Sequence, residues 1–333
     1  MCDFTLVTDR LAEPSDIVYV DGGIKVSTGG HPVNISIDLV KLGMQGDKIK
    51  VVTSIGRDLC GDFVLSVLGD FGIDTRWVQV IENKETGKNV IIVIKGQDRR
   101  FHDDLGASSD LSPRHVLAAM DYVRPDLIHW AVGLQKEADD SLPTILRAAK
   151  DLSAVTFIDI GVATRPKGDW EFLQRALSEG LVDIFHANSY ELRKVTGLND
   201  VGKAIDFLLR SGVRVVLLTE GERGALLATN DFTVNQPPFA VPVVDPTGAG
   251  DAFQAGFIFY LYRKGAPGLA LRSIETTQEE AAKALLYAQA AGASCVTAPG
   301  ATEAVTKVNV ERLLDEQGDD ILRRTSILQR VRQ

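Results

Sequence analysis

A short stretch of this sequence combines an anion-binding backbone with a carboxylate. Gly248, Ala249 and Gly250 separate a short apolar run from an apolar helix pattern, and Asp251 follows them directly. Open N–H groups at a helix N-terminus bind anions, and small residues let a phosphate approach the backbone. Asp251 then has two interpretations. It could cap the helix, or it could act as a general base that deprotonates a hydroxyl attacking a bound phosphoryl group.

A second polar pair, Asn188 and Glu191, lies between a predicted strand and a predicted helix. Asn at the N-cap with Glu three residues later is a capping box, which is the simpler interpretation of the pair in isolation. The alternative is a carboxylate that holds Mg²⁺ through water molecules near phosphate groups. Farther along, residues 217–227 predict a strand, a tight turn and a strand, which by themselves indicate only a hairpin.

The order of the predicted elements indicates how these residues are positioned. From residue 50 onward, strand patterns alternate with helix patterns, which predicts an α/β fold with a mostly parallel sheet covered by helices on both faces. A buried strand over residues 4–8 ends at Asp9, where α/β folds commonly display ligand-contacting groups. We expect residues 1–333 to form one domain, and the charged segment 315–333 to be a helical extension.

Two further groups of strand patterns contain no helix pattern within the group. The first lies within residues 10–28 and includes a predicted hairpin of residues 17–20 with 25–27. The second lies within residues 76–104 and includes a predicted strand over 77–81. We expect these strands to form a small separate sheet that acts as a lid.

Composition disfavours several classes of protein. The net charge of −9 gives no basic face, so nucleic-acid binding is not expected. No apolar run approaches the roughly 18 residues of a membrane helix, and no leader-peptide pattern is present, so no membrane association is expected. Three widely spaced cysteines indicate reduced thiols in a cytoplasmic protein. Residues 197–204 approach a Walker A pattern but carry Ala204 in place of the Mg²⁺-binding Ser or Thr.

Four motifs, in this order along the chain, resemble those of the ribokinase or PfkB-type carbohydrate kinase family. They are Gly-Gly-His-Pro-Val-Asn at 29–34, Asn-Ser-Tyr-Glu at 188–191, Thr-Glu-Gly at 219–221 and Asp-Pro-Thr-Gly-Ala-Gly-Asp at 245–251. The last motif is highly specific, and the resemblance covers residues 4 to about 304. It implies a ribokinase-like three-layer α/β/α sandwich with a small β-sheet lid. It also implies an ATP-dependent, Mg²⁺-requiring kinase that phosphorylates a hydroxyl of a small sugar, polyol or sugar derivative.

The resemblance also implies roles for individual residues. Asp251 matches the family's catalytic base, and the anion hole matches Gly248, Ala249 and Gly250. The residues implied in sugar binding are Asp9, Gly29, Gly30 and Asn34. The residues implied on the nucleotide side are Asn188, Glu191, Thr219, Gly221 and Gly224, with Glu191 holding Mg²⁺ through water. Asp245 and Thr247 match the monovalent-cation site, for example for K⁺, of some members. A lid sheet often pairs between subunits in the family, which implies a homodimer.

Two alternative functions, and two departures from the motifs of the family, limit the assignment of a substrate. A nucleoside kinase of the same fold would use stacking residues, for which the candidates are Trp130, Phe101 and Tyr19. A catalytically retired sugar-binding protein would have no physical need for the intact Asp251 beside an anion hole. The Asp-x-Asn-x-Arg run of some sugar kinases reads Asp159-Ile-Gly-Val-Ala here, with Arg165 two residues on, which argues against a sugar acid. His31 stands where ribokinases tend to carry lysine, so ribose is not specially indicated.

Overall fold

The computed structural model describes residues 1–20, 22–95, 99–161 and 170–330. The strands in these ranges are β1 Cys2–Thr8, β2 Ile24–Thr28, β3 Thr53–Gly56, β4 Val78–Ile81, β5 Lys88–Ile94, β6 Arg100–Asp104, β7 Leu127–Val132, β8 Val155–Ile160, β9 Ile184–Asn188, β10 Val215–Thr219, β11 Ala225–Ala228, β12 Phe232–Gln236 and β13 Ser326–Gln329. The helices are α1 His31–Leu42, α2 Leu59–Asp70, α3 Pro113–Val123, α4 Lys136–Asp140, α5 Leu142–Asp151, α6 Glu171–Ser178, α7 Ser189–Thr196, α8 Val201–Arg210, α9 Ala249–Arg263, α10 Pro267–Thr276, α11 Gln278–Cys295, α12 Lys307–Leu313 and α13 Asp319–Arg324.

The central sheet has seven strands in the order β13-β12-β11-β10-β9-β8-β7. Strands β7 to β10 pair in parallel, whereas β11, β12 and β13 add an antiparallel edge. Side chains alternate between two cores, so that Val215 and Leu217 pack on one face while Val216 and Leu218 pack on the other. Helices therefore cover both faces, and the predicted α/β class is confirmed.

A second sheet has four strands in the order β2-β1-β5-β6 and forms the lid. The strand predicted over residues 4–8 belongs to this sheet, because β1 pairs antiparallel with β2 and parallel with β5. Two predicted lid strands are wrong. Residues 17–20 form no strand and expose Ile17 and Tyr19, since β1 takes the position beside β2. The strand predicted over 77–81, β4, pairs in parallel with β3 as a separate two-stranded sheet.

The C-terminal segment departs from the predicted all-helical extension. One π-helical turn, Leu314–Gly318, joins α12 to α13, and Ile321 is buried in the core. The chain then becomes extended and β13 pairs antiparallel with β12, because β12 otherwise ends the sheet with unpaired backbone groups. The end of the predicted helix, residues 331–333, lies outside the described residues. Across the described ranges, no helix is long and apolar enough to span a membrane.

Candidate active site

The start of helix α9 has the geometry of an anion-binding turn. Gly248 is its N-cap, with a left-handed φ of 78°, and a Cβ atom there would lie 2.5 Å from the carbonyl oxygen of Ala301. Only glycine fits that position without strain. No side chain caps the helix. The Ala249 N–H donates to the Pro246 carbonyl at 3.3 Å, whereas the N–H groups that follow it, starting at Gly250, are open to a ligand. Gly250 has room around it, since a Cβ there would find the His186 ring as its nearest neighbour, at 3.9 Å.

Asp251 lies in the first turn of α9 and is 7 % exposed. Its Oδ1 accepts a hydrogen bond from Nδ1 of His31 at 2.7 Å, and its Oδ2 accepts one from Nδ2 of Asn34 at 2.8 Å. Both donors belong to α1, so the carboxylate contacts a neighbouring helix and not the N–H groups of its own. The interpretation of Asp251 as a helix cap is therefore wrong. Its position beside the open N–H groups is that required of a base next to a bound phosphoryl group.

Alternating carboxylates and imidazoles extend from Asp251 across the neighbouring strands β8, β9 and β10 of the central sheet. His31 Nδ1 also lies 3.4 Å from Asp159 Oδ2, and Asp159 Oδ1 lies 2.6 Å from Nδ1 of His186. Nε2 of His186 is 3.3 Å from the Thr219 hydroxyl, at the end of β10. This chain of contacts joins the α1 side of the site to the end of the central sheet.

The two carboxylates control the charge of His31. Burial by itself favours the neutral ring, but the negative charges of Asp251 and Asp159 outweigh it and raise the pKa of His31 to about 10. Burial also opposes ionisation of Asp159, yet the hydrogen bond from His186 and the nearby imidazoles hold the Asp159 pKa below its usual range. At neutral pH the site therefore contains an imidazolium between two carboxylates.

Asp3, which the sequence analysis did not select, lies at the Gly29-Gly30 turn. A Cβ atom on Gly29 would lie 2.2 Å from Oδ2 of Asp3, so only glycine permits this approach. Asp3 is 7 % exposed and hydrogen-bonds with Asn89, its neighbour in register on β5. Burial, assisted by the negative charges of Asp103 and Asp251, raises the pKa of Asp3 to about 6.

Asp9 does not come near these residues. Its side chain is 77 % exposed and forms an ion pair with Lys95 at 2.9 Å, beyond the far end of β1. The structure therefore does not bring Asp9 to the site, contrary to the prediction, and the carboxylate that lies at the Gly29-Gly30 turn is that of Asp3. The prediction took the carboxyl end of β1 because ligands bind there in parallel sheets. In the lid sheet it is the amino end of β1 that meets the Gly29 turn, where Gly29 donates a hydrogen bond to the Met1 carbonyl. An acidic residue at the start of an otherwise apolar strand was the available signal.

The predicted nucleotide side gathers at the ends of β9 and β10. Asn188 and Glu191 form the predicted capping box of α7, with the Asn188 N–H donating to Glu191 Oε2 at 2.8 Å. Burial raises the pKa of Glu191. After Thr219, a short 3₁₀ turn contains Gly221, and Gly224 closes it with a φ of 93°.

Asp245 organises the loop before α9. Its Oδ1 accepts the N–H of Thr247 at 2.9 Å, and its Oδ2 accepts the N–H of Gly300 at 3.0 Å. Burial opposes ionisation, but these hydrogen bonds leave the Asp245 pKa below its usual range. In the described part of the chain, no three His, Cys, Asp or Glu side chains are grouped so as to hold a metal ion.

The three aromatic candidates for stacking lie in different environments. Trp130 is buried in the core, where its Nε1 donates to Asp139, and Tyr19 is 86 % exposed. Phe101 pairs with Ile91 between β6 and β5, and so shares the sheet face of Asp3 and Asn89. Of these three aromatic residues, Phe101 is the one that shares a sheet face with Asp3. Arg165 lies outside the described residues.

Comparison with known proteins places these features in a family. The model of the pfkB family carbohydrate kinases matches residues 1–308. A deoxyribokinase of Salmonella typhi is 25 % identical over 80 % of this chain and 84 % of its own length, and a probable fructokinase of Arabidopsis thaliana is 25 % identical over 93 % and 95 %. A putative ribokinase II of E. coli, solved with ATP and Mg²⁺, superposes with a TM-score of 0.75 at 22 % identity, covering 95 % of this chain and 97 % of that one. The chain belongs to the pfkB family of carbohydrate kinases.

Proposed function

We propose that this protein transfers the γ-phosphoryl group of ATP to a hydroxyl of a small sugar, polyol or sugar derivative. The observation that carries the proposal is the pairing of Asp251 with the uncapped N-terminus of α9. Open N–H groups bind phosphate and stabilise the negative charge that develops during transfer. A carboxylate beside them is positioned to receive the proton of the attacking hydroxyl, a contribution of about 10²–10⁴ in rate.

Each residue in this scheme has a limited task. Asp251 accepts the hydroxyl proton, while His31 and Asn34 orient its two oxygens. The N–H group of Gly250 binds the phosphoryl oxygens, joined by that of Ala249 when it exchanges its 3.3 Å hydrogen bond to the Pro246 carbonyl for the ligand. Gly29 and Gly30 form the turn that borders the acceptor, and the absence of a Cβ at Gly29 leaves room for Asp3, which accepts hydrogen bonds from the acceptor's hydroxyl groups.

The nucleotide side fits a magnesium nucleotide. The putative ribokinase II binds ATP and Mg²⁺, and Mg²⁺ commonly keeps several waters and few protein ligands. Glu191 would hold such waters, and the hydrogen bond from the Asn188 N–H to its carboxylate supports this role. Mg²⁺ would supply neutralisation of phosphate charge. Thr219, Gly221 and Gly224 would form the turn along the nucleotide. Asp245 and Thr247 would border a monovalent-cation site. A comparison of activity in K⁺ and in a bulky organic cation tests this site.

The polar groups of the acceptor side favour a neutral, hydroxyl-rich compound. Asp3 and Asp251 accept hydrogen bonds from hydroxyl groups and repel carboxylate or phosphate groups. Beside Asp3, the buried Oδ1 of Asn89 has no hydrogen-bond partner among the described residues, so it is a further acceptor for a hydroxyl group. Phe101 supports a second candidate, a nucleoside acceptor stacked on its ring.

The test measures ADP formation with sugars, polyols, sugar acids and nucleosides, using the wild type and Asp251→Asn in parallel. We expect a neutral sugar or polyol to be phosphorylated, and we expect Asp251→Asn to lower kcat by about 10²–10⁴ while ATP binding, followed by calorimetry, stays unchanged. Turnover of the variant within a few-fold of the wild type would remove Asp251 from the role of base. Turnover of nucleosides alone would replace the sugar by the second candidate.

We also propose that two copies pair through the outer face of the lid. This face carries neighbouring apolar side chains in register, among which Ile24, Val26 and Val90 are exposed in the single chain. Such a patch is costly to leave in water. Sedimentation should show a dimer for the wild type and a monomer for Val26→Lys. A wild-type monomer at all accessible concentrations contradicts the pairing.

A further inference from the structure

Helix α1 buries a carboxyl group one turn beyond Asn34. Asp38 is 0 % exposed, and neither of its oxygens has a hydrogen-bond partner among the described residues. Oδ1 of Asn34 is buried and unpartnered in the same way. Residues four apart on a helix lie on one face, with Cβ atoms about 5–6 Å apart. Three buried acceptor oxygens therefore share one region and lack a donor.

The other polar groups around Asp38 are already committed. Lys41 Nζ, from the same helix, donates to the carbonyls of Thr302 and Glu303. The single S–H of Cys295, from α11, is shared between the carbonyls of Thr247 and Ala301. Asp251, from α9, is negatively charged and offers no donor. Leaving an ionised carboxylate buried without a partner costs far more than leaving it protonated.

We propose that Asp38 carries a proton in the folded protein and donates it in a hydrogen bond to Oδ1 of Asn34, which holds the Asn34 amide with its N–H toward Asp251. Asp38 is thus a positioning residue that acts on the base through Asn34, and the inference rests on the proposed role of Asp251. One proton on Asp38 supplies the donor that Asn34 lacks and removes the charge of the buried acid.

The protonation state of Asp38 decides which carboxylate accepts a hydrogen bond from the Asn34 amide N–H. If Asp38 were ionised, it would compete with Asp251 for the same N–H donor. Burial and the negative charge of Asp251 both raise the pKa of Asp38 well above its ordinary value, while Lys41 opposes them. Loss of the proton at alkaline pH would release Asn34 from Asp251 and leave the base misoriented.

The experiment compares Asp38→Asn, which keeps a donor and the side-chain shape, with Asp38→Leu, which keeps the volume without a donor. We expect kcat of Asp38→Asn to stay within about threefold of the wild type and that of Asp38→Leu to fall about tenfold, with the KM for ATP unchanged in both. Between pH 7 and pH 9, below the pKa of about 10 of His31, the wild type should lose more kcat than Asp38→Asn does. Equal loss in Asp38→Asn and Asp38→Leu, or the same loss between pH 7 and pH 9 in the wild type and Asp38→Asn, overturns the proposal.

A second measurement does not depend on activity or on the folding of Asp38→Leu. The infrared difference spectrum of wild type minus Asp38→Asn at neutral pH should contain the carbonyl band of a protonated carboxylic acid. A difference spectrum with only ionised-carboxylate bands overturns the proposal. A protein that shows the acid band but no kinase activity would instead refute the proposed function, so the two failures are distinguishable.

Discussion

His31 gives the sharpest prediction of pH-dependent stability, tested by His31→Gln. The ring lies 2.7 Å from Asp251 and 3.4 Å from Asp159, and these carboxylates raise its pKa to about 10 against the opposing effect of burial. In the unfolded chain the imidazole loses its proton near pH 6.5. Between these two values the folded protein holds one more proton than the unfolded chain does.

The sign and size follow from proton linkage. A raised pKa contributes stability that is fully present below pH 6.5 and is lost as the pH rises through about 10. Within this window the free energy of unfolding of the wild type should fall, relative to His31→Gln, by about 1.4 kcal/mol per pH unit. The whole window spans about 3.5 units, so the limit is about 5 kcal/mol, and the interaction shared with Asp159 lowers the observed value.

Urea unfolding at pH 7, 8 and 9 measures this difference for wild type and His31→Gln. His115→Gln is the matched control for the loss of an imidazole, because His115 hydrogen-bonds with the backbone carbonyl of Trp77. A difference between wild type and His31→Gln that is equal at pH 7 and pH 9 would show that His31 is not charged by Asp251 and Asp159, and would refute the reasoning.

Four further predictions concern the glycine turn, the acceptor site and the lid. Gly248→Ala should lower the free energy of unfolding by about 2–5 kcal/mol, because its φ is 78° and its Cβ would meet Ala301. Gly250→Val should leave stability nearly unchanged and raise the KM for ATP several-fold; unchanged ATP kinetics would count against the anion hole. Asp3→Asn should raise the acceptor KM about tenfold while Asp9→Asn leaves it unchanged, and the reverse result would restore the position first predicted from sequence. Amide hydrogen exchange in β1 and β5 should be faster than in β8 and β9 without ligand and should slow when the acceptor binds; equal protection of the two sheets without ligand contradicts a mobile lid.

Local sequence identified the turn around Asp251 because its chemistry depends on neighbours in the chain. A Gly-rich segment followed by an apolar helix pattern is sufficient to predict an anion-binding helix N-terminus, but it leaves open whether Asp251 caps that helix. The capping box of Asn188 and Glu191 was predictable for the same reason, since its hydrogen bonds span only three residues. These parts of the site required no knowledge of the tertiary fold.

Contacts between distant segments could not be read from the chain in this way. His31 and Asp251 are separated by 220 positions, and the pairing of Asp159 with His186 depends on the neighbouring placement of β8 and β9. The same limit explains the choice of Asp9 over Asp3. An apolar strand pattern is the same whether the strand joins the central sheet or the lid, and only the pairing decides which end faces the ligand.

The position of Asp3 connects the lid to the base. Burial, with the charges of Asp103 and Asp251, raises the pKa of Asp3 to about 6, so at neutral pH the lid sheet holds an ionised carboxylate in an unfavourable place. The hydroxyl groups of an acceptor donate hydrogen bonds to such a carboxylate and reduce that cost. Under the proposed function, the compound that presents a hydroxyl to Asp251 would therefore also stabilise the lid. An anionic ligand would add repulsion at both positions, so we expect the lid to close over neutral sugars in preference to their carboxylated analogues.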